Sequence, residues 1–152
     1  GYLPVSGNAT VKQVTEDEIA EVQQDALESS NSYKRQQVVD YALQFVGGRY
    51  KYGGSDPRTG VDCSGFTRYV LQNSAGIGMN RSSGGQASQG VAIGADQMQP
   101  GDLLFYGSGR GINHVAMYIG NGQIVHASTE RTGITISNWN YRNPVKIVNV
   151  LG

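Results

Sequence analysis

The sequence predicts an α+β fold in which helices pack against a mainly antiparallel sheet. Apolar residues recur at helical spacing in the first half of the chain, whereas the second half contains short apolar runs separated by turn residues. Helices followed by strands are typical of α+β domains, because parallel α/β folds alternate the two kinds of element. The 152 residues show no internal repeat and are enough for one core.

The charge composition argues against two classes of partner. Twelve Lys and Arg residues balance twelve Asp and Glu residues, so the formal net charge is zero when both histidines are neutral. Such a chain has no field that would attract nucleic acid or an anionic membrane surface. Its apolar runs are too short to cross a bilayer, and no signal peptide is visible. We therefore expect neither a nucleic-acid partner nor membrane insertion.

The N-terminal part of the chain predicts a linker and a first helix. Residues 1–14 lack a sustained period and are expected to form a linker. Thr15 and Glu18 resemble a capping box in front of a helix over residues 18–27. The polar residues 29–32 (SSNS) are expected to break this helix.

A second helix is predicted from Ser32, with Gly47 and Gly48 as its C-terminal stop. Its wide apolar face is expected to enter the core and consists of Val38, Val39, Ala42, Phe45 and Val46. The break between the two helices predicts an N-terminal extension with one helix over residues 1–32 and a main domain over residues 33–152.

The only cysteine of the chain stands where a loop is predicted to become a helix. Residues 49–62 form a glycine-rich loop, and behind it Phe66, Val70 and Leu71 recur at helical spacing, with Gly76 past the end. Cys63 is therefore expected at the N-terminus of this helix.

The C-terminal part of the chain predicts strands. Pro100-Gly101-Asp102 is turn chemistry in front of the apolar run LLFY. The segment HVAMYIGNGQIVHAS has two apolar runs around Gly-Asn-Gly, which indicates a hairpin. The stretches GITIS and VKIVNVL predict two final strands.

Cys63 has no partner for an internal disulfide, so it is either a small buried hydrophobe or a reactive thiol. Free amides at a helix N-terminus favour the thiolate, which is the nucleophilic form. The same amides can hold the oxyanion of a tetrahedral intermediate, and a nearby histidine can act as the base.

The hairpin register decides whether the two histidines can cooperate. A two-residue Asn121-Gly122 turn would pair Met117 with His126 and leave His114 on the opposite face. A three-residue loop of Gly120, Asn121 and Gly122 would instead pair Ile119 with Gln123 and Ala116 with His126. His114 and His126 would then be diagonal neighbours on one face, roughly 7 Å apart at the backbone. We favour this register because it collects one wholly apolar face, made of Val115, Met117, Ile119, Val125 and Ala127.

On a shared face, His114 can take the proton of Cys63 while His126 fixes the tautomer of His114. The alternatives are two strand histidines that only satisfy local polar groups, or a Cys-His-His zinc site with an open fourth position. No carboxylate lies at ligand spacing from either histidine, so we expect neither a metal nor another cofactor.

The order of several short motifs identifies a family resemblance. The segments YKYGG, DCSGF, NRSS, QPGDLLFY and NHVAMYIGNGQIVHAS closely resemble the NlpC/P60 family of peptidoglycan hydrolases, and the resemblance covers about residues 33–150. The resemblance implies a papain-like core with the catalytic cysteine at a helix N-terminus and the histidines on an antiparallel sheet. It also implies a bacterial cysteine endopeptidase, secreted or attached to the cell envelope, that hydrolyses stem peptides through a thioacyl intermediate. The bond usually cut joins γ-D-glutamate to a diamino acid, and wall-binding or glycosidase domains often accompany the catalytic domain.

The resemblance also assigns roles to individual residues. Cys63 corresponds to the nucleophile, His114 to the base and His126 to the third polar residue. Tyr50 corresponds to a tyrosine close to the cysteine. The substrate groove is expected to be lined by Asp62, Ser64, Arg81, Ser82 and Ser83. Alternatively, Asp62 is an N-cap and residues 81–83 are an ordinary polar loop. Two positions depart from the common family pattern: Tyr52 stands where a tryptophan is usual, and Asn80 stands where a proline often precedes the arginine. Both are expected beside the groove, so the departures concern fine specificity and not the chemistry.

Overall fold

The computed structural model describes the backbone of residues 16–152 and the side chains of residue 23 and residues 26–152. The chain divides into two compact units, Gly1–Ser32 and Tyr33–Gly152. The expected linker over residues 1–14 and the expected cap at Thr15 lie outside the described residues.

The first helix, α1, runs without interruption over Glu16–Leu43, so the predicted break at residues 29–32 is wrong. Ser and Asn cost only a few tenths of a kcal/mol in a helix interior, whereas Gly or Pro would cost about 1 to 3 kcal/mol. The segment contains neither, and helix continues through it. The helix ends before Val46, which lies in the following turn and is 43% exposed rather than in the core.

The remaining elements form an α+β domain with an antiparallel sheet, as predicted. The helices are α2 (Cys63–Ala75) and the short α3 (Ser83–Gln86), with a 3₁₀ turn at Ala95–Gln97. The strands are β1 (Ser55–Asp56), β2 (Gly60–Val61), β3 (Val91–Ala92), β4 (Leu103–Ser108), β5 (Gly111–Gly120), β6 (Gln123–Thr129), β7 (Gly133–Asn138) and β8 (Pro144–Asn149). The six-stranded sheet has the order β3-β8-β4-β5-β6-β7, and β1 pairs with β2. The sequence did not predict β1, β2, β3 or α3.

The sheet carries apolar residues on both faces. One face packs with the helices in a cluster that includes Val38, Phe66, Leu71, Phe105, Met117 and Val125. The other face holds a second cluster of Leu104, Tyr106, Ala116, Ile124 and Ile147. Burial on both faces explains why β4 begins with a continuous apolar run instead of an alternating one.

The β5–β6 hairpin combines the predicted register with a different turn. Asn121 and Gly122 both have positive φ, 55° and 75°, which is typical of a two-residue type I′ turn. Gly120 therefore pairs with Gln123, and a bulge between Tyr118 and Gly120 shifts the register. Beyond it Met117 pairs with Val125, as the predicted register requires. The prediction of a three-residue loop is wrong: the turn has two residues, and the extra residue of β5 lies in the bulge between Tyr118 and Gly120.

A buried ion pair joins the C-terminal part of α1 to the turn before β4. Arg35 donates from Nη1 to Asp102 Oδ1 at 2.8 Å and to the Pro100 carbonyl oxygen at 3.0 Å. Its Nη2 donates to Asn149 Oδ1 at 2.8 Å. The side chains of Arg35 and Asp102 are only 3% and 1% exposed, so neither charge can turn to water when the other is lost.

Arg35→Met should therefore lower the free energy of unfolding by about 3–5 kcal/mol, because it leaves the Asp102 carboxylate buried without a counter-charge. Urea denaturation followed by circular dichroism measures this. The neighbouring exposed Gln37→Met is the control and should change stability by less than about 0.5 kcal/mol. A loss below about 1 kcal/mol for Arg35→Met would show that the ion pair contributes little.

Candidate active site

Cys63 is the first residue of α2, as expected, and its side chain is partly exposed. Asp62 is the N-cap, and its Oδ1 accepts a hydrogen bond from the amide of Gly65 at 2.8 Å. The preceding loop packs closely on this helix end, since a Cβ on Gly65 would lie 2.4 Å from the carbonyl oxygen of Gly54. The cap and the two glycines fix the sulfur at the helix N-terminus.

Burial outweighs the helix amides in setting the protonation state of the sulfur. Burial raises the pKa of the Cys63 thiol, and the negative charge of Asp62 raises it further. The amides of Val115, Ser64 and Cys63 itself act in the opposite direction but do not reverse the shift. The amides at the start of the helix thus favour the thiolate as expected, but burial outweighs them, and the thiol of the resting protein is protonated at neutral pH.

The two histidines face each other on β5 and β6. Nε2 of His114 and Nδ1 of His126 are 2.7 Å apart, and Nε2 of His126 lies 2.9 Å from the hydroxyl of Ser137 on β7. If His114 Nε2–H donates to His126, then His126 Nε2–H donates to Ser137, and Nδ1 of His114 keeps its lone pair. The Ser137 hydroxyl can donate as well as accept, so the opposite pair of tautomers satisfies the same contacts, and a His114 that acts as a base requires the first pair.

Burial keeps both imidazoles neutral. It lowers the pKa of His114 to about 3, with smaller contributions from the charges of His126 and Arg142, and lowers the pKa of His126 to about 4. Aromatic rings surround the pair: Tyr106 lies 5.9 Å from the ring of His114, and Tyr141 lies 5.3 Å from the ring of His126. At neutral pH both rings can accept a proton.

The sulfur of Cys63 lies next to the part of β5 that carries His114. The amide of Val115, the residue after His114, reaches the sulfur of Cys63. The paired residues of β5 and β6 end at Met117 and Val125, so the strands are no longer paired where the histidines stand. The hydrogen bonds of residues 26–152 include none between Cys63 and His114. The two side chains are thus neighbours through the strand position and are not bonded in this structure.

A cavity of about 450 Å³ opens beside the sulfur. Its lining includes five of the expected groove residues, namely Asp62, Ser64, Arg81, Ser82 and Ser83, together with Tyr52, Gly53, Cys63 and Asn113. Tyr50 is not in the lining but lies close to the sulfur. Burial raises its pKa first, and the charges of Cys63 and Asp62 raise it further.

Asp62 and Arg81 form a two-pronged ion pair in this cavity. Arg81 Nη1 donates to Asp62 Oδ1 at 3.0 Å and Nη2 donates to Oδ2 at 3.1 Å. Arg81 also donates to the hydroxyl of Ser64 at 3.0 Å and to the Gly54 carbonyl oxygen at 3.0 Å. Asp62 is thus an N-cap as well as a lining residue, and both interpretations of its role are compatible with the structure.

Residues 81–83 belong to a capped turn that a buried glutamine holds in place. The Ser82 hydroxyl accepts from the amide of Gly85 at 3.0 Å and caps α3. Gln86 is fully buried, and its Nε2 donates to the carbonyl oxygens of Ser64 at 2.9 Å and Asn80 at 2.8 Å. The sequence missed Gln86, because nothing distinguishes it from other polar residues of a loop.

The sequence also missed Ser137, Asn113, Tyr141 and Arg142, which surround the histidines. Ser137 is two residues from Thr135, the partner of His126, so the strand period places both hydroxyls on one face of β7. That period was the available signal for Ser137. Tyr141 and Arg142 come from the β7–β8 loop, whose path only tertiary packing determines.

Among the described residues, no group of three or more His, Cys, Asp or Glu side chains is placed to hold a metal ion. None of the helices in that part of the chain combines the length and apolar character needed to cross a bilayer.

Comparison with known proteins places the fold and the motifs in one family. The sequence model of the NlpC/P60 family matches residues 47–148, about two thirds of the chain. The structure resembles the NlpC/p60 domain of the peptidoglycan hydrolase SagA with a TM-score of 0.70 and 36% identity, over 76% of this chain and 97% of that domain.

The names of two curated relatives state a hydrolytic activity. The chain is 42% identical over 108 residues to a gamma-DL-glutamyl hydrolase of Bacillus subtilis, covering 70% of this chain and 25% of the relative. It is 36% identical over 106 residues to murein DD-endopeptidase MepS/murein LD-carboxypeptidase of Escherichia coli K12, covering 70% of this chain and 55% of the relative. The chain spans only 17–19% of the length of four other curated relatives.

The buried neutral histidines predict acid sensitivity. Both folded pKa values lie below the unfolded value of 6.5, so stability is complete above pH 6.5 and falls as the pH drops toward the folded values of about 3 and 4. At pH 5 the two histidines are protonated in the unfolded chain but remain neutral in the folded chain. This difference should lower the free energy of unfolding at pH 5 by about 2 kcal/mol for each histidine.

Urea denaturation at pH 7.5, 6 and 5 measures this loss. A variant with both His114→Asn and His126→Asn is the control, because it lacks the titrating rings and should show a much flatter dependence over this range. Equal slopes for the two proteins would contradict the assignment of neutral rings.

Proposed function

Because the chain belongs to the NlpC/P60 family, we propose that it is a cysteine endopeptidase that hydrolyses peptidoglycan stem peptides, with Cys63 as nucleophile, His114 as base and His126 as the residue that orients His114. The observation that carries the proposal is the chain His114–His126–Ser137, which leaves one nitrogen of His114 available beside the β5 amide that reaches the sulfur. The preferred bond joins the γ-carbonyl of D-glutamate to the amine of a diamino acid.

In the acylation step the thiol and the imidazole start neutral. The Sγ–H proton passes to Nδ1 of His114 while sulfur attacks the carbonyl carbon, and the carbonyl oxygen takes the negative charge. His114 then gives this proton to the leaving nitrogen as the C–N bond breaks. The products are a thioester on Cys63 and a free amine. The missing hydrogen bond between Cys63 and His114 is no obstacle, because such contacts often tighten only when substrate is bound.

Hydrolysis of the thioester regenerates the enzyme. A water molecule gives a proton to His114 and attacks the thioester carbon, and the S–C bond breaks. The sulfur leaves as thiolate and takes the proton back from His114, while the carboxylic acid product departs. Unpaired amides at the start of α2 are the donors for the oxyanion in both steps. No metal or cofactor takes part in this scheme.

The acyl half of the substrate fits the cavity beside Cys63. Asp62 and Arg81 present one carboxylate and one guanidinium on its wall, with side chains 13% and 38% exposed. The N-terminal part of a stem peptide carries an amine and a carboxylate, which these two groups can bind by charge. Ser64, Ser82 and Ser83 add hydroxyls, and Tyr50 borders the site.

Two relatives suggest different bonds. The gamma-DL-glutamyl hydrolase supports a γ-glutamyl bond, whereas the murein DD-endopeptidase supports a second candidate, the D,D bond of a peptide cross-link. Digestion of purified peptidoglycan followed by mass spectrometry separates the two, because the first releases fragments that begin with the diamino acid and the second opens cross-links. The first outcome is the expected one.

The setting of the enzyme follows from the same family. We propose that residues 33–152 are the catalytic domain and residues 1–32 an N-terminal extension. The protein would act outside the bacterial cytoplasmic membrane, secreted or attached to the envelope. Because the chain spans a small part of most matched relatives, a wall-binding or glycosidase domain in the full-length protein is consistent with the proposal.

Replacing Cys63 tests the nucleophile. Cys63→Ala should abolish hydrolysis of the stem peptide while thermal unfolding stays close to that of the wild type, since one small residue replaces another at a partly exposed position. Product release is followed by liquid chromatography. Retained turnover would refute the assignment, and loss of the folded state would require Cys63→Ser as the second variant.

Graded substitutions test the histidine chain. His114→Ala should lower kcat by roughly 10²- to 10⁴-fold, the usual contribution of a general base. His126→Ala should lower kcat severely but less than His114→Ala, and Ser137→Ala should have a smaller effect. The exposed Ser88→Ala is the matched control for Ser137→Ala. Wild-type turnover in His126→Ala would show that this ring has only a structural role.

A further inference from the structure

A second cavity borders His114. It has a volume of about 460 Å³ and is lined by Asn113, His114, Ser128, Thr129, Tyr141 and Arg142. The lining contains no acidic side chain and one guanidinium. We infer that this cavity binds the leaving half of the substrate and that Arg142 recognises a carboxylate on it. This inference rests on the proposed function and adds a specificity-determining residue to it.

Arg142 is available for an anion. In residues 26–152 its guanidinium belongs to no ion pair, and the pairs found there involve Arg35, Arg58 and Arg81. Its Nη2 donates to Asn113 Oδ1 at 3.0 Å, which orients the group without neutralising its charge. A guanidinium has five N–H donors, so several remain for a two-pronged contact with a carboxylate.

Aromatic side chains hold Arg142 in place. Its guanidinium carbon lies 5.6 Å from the centre of the Tyr106 ring. That ring is fully buried, and its hydroxyl donates to the carbonyl oxygen of Trp139 at 2.6 Å. Tyr141 packs edge-on against Tyr106 at 5.2 Å. An arginine held in this way loses little conformational entropy on binding, which favours specific recognition over loose attraction.

The two cavities share Asn113, and each would hold one half of the substrate, with the scissile bond between them. Asn113 lines both, Cys63 lines the first, and His114 lines the second. With the acyl half beside Cys63, the departing amine faces His114, and the remainder of the leaving half continues toward Ser128 and Arg142. The positive charge of Arg142 also acts on His114, so a bound carboxylate would reduce that effect and make the ring a better base.

A carboxylate on the leaving half can come from two sources. One is the side-chain carboxylate of diaminopimelate, which lysine lacks. The other is the free carboxylate at the C-terminus of the leaving fragment. Four substrates with an N-terminal L-Ala-γ-D-Glu unit separate the two sources. The first ends in meso-diaminopimelate with both carboxylates free, the second has only the side-chain carboxylate converted to the amide, and the third has only the C-terminal carboxylate converted to the amide. The fourth ends in lysine with an amidated C-terminus and has neither carboxylate.

The experiment compares kcat/KM for the four substrates in wild type, Arg142→Gln and the exposed control Arg68→Gln. The wild type should prefer a substrate with the recognised carboxylate over its amide by roughly 10- to 100-fold, as expected for a charge-assisted hydrogen-bonded pair. Arg142→Gln should abolish this preference, mainly through KM, and Arg142→Lys should restore part of it. The Arg68→Gln control should keep it. An unchanged preference in Arg142→Gln, or equal losses on all four substrates, would overturn the inference.

A binding measurement keeps the test independent of turnover. Calorimetry with the dipeptide meso-diaminopimelyl-D-alanine should give a Kd roughly 10-fold or more weaker for Cys63→Ala/Arg142→Gln than for Cys63→Ala. Equal Kd values would overturn the inference. If the wild type cleaved none of the stem peptides but the Kd values differed, the bond proposed for the enzyme would be wrong and the carboxylate site would stand.

Discussion

The end of pairing between β5 and β6 is the structural feature on which the rest of the candidate active site depends. Their paired residues end at Met117 and Val125, and beyond that point the Val115 amide lies at the sulfur of Cys63. The same separation makes room for the rings of His114 and His126 to meet edge-on. A fully paired hairpin would close the space in which these three side chains come together.

Desolvation decides the charges in that space. It keeps the thiol protonated and both imidazoles neutral, against the opposite influence of the amides at the start of α2. The resting state is therefore an uncharged pair, and in the proposed mechanism charge develops only as sulfur attacks. Since Ser137 completes the hydrogen bonds of His126, the neutral rings are fixed in one orientation without a buried carboxylate. This arrangement avoids the cost of a permanent ion pair in a poorly hydrated site.

The charges that face substrate stand at the two sides of this uncharged centre. Asp62 and Arg81 form a locally neutral pair beside the sulfur, whereas Arg142 remains unneutralised beside His114. Charged groups at a cavity wall select partners by charge and geometry, and the apolar sheet behind them holds their positions. The net charge of zero thus conceals a local asymmetry between the two cavities, and the proposed substrate carries different groups on the two halves that would occupy them.

The sequence by itself determined the helix that begins at Cys63, the positions of strands β4 to β8 along the chain, and the register that places His114 and His126 together. These follow from local periods and from the requirement that Met117 and Val125 be buried, and a one-residue slip would have violated that requirement. Only the tertiary structure decided the type I′ turn with its bulge, the continuity of α1 through residues 29–32, and the roles of Ser137 and Arg142. The roles of Ser137 and Arg142 depend on contacts between segments far apart in the chain, and no local pattern encodes the path of a loop across a distant strand. The turn and the helix are local, but in each case two local structures fit the same residues, and the sequence alone did not separate them.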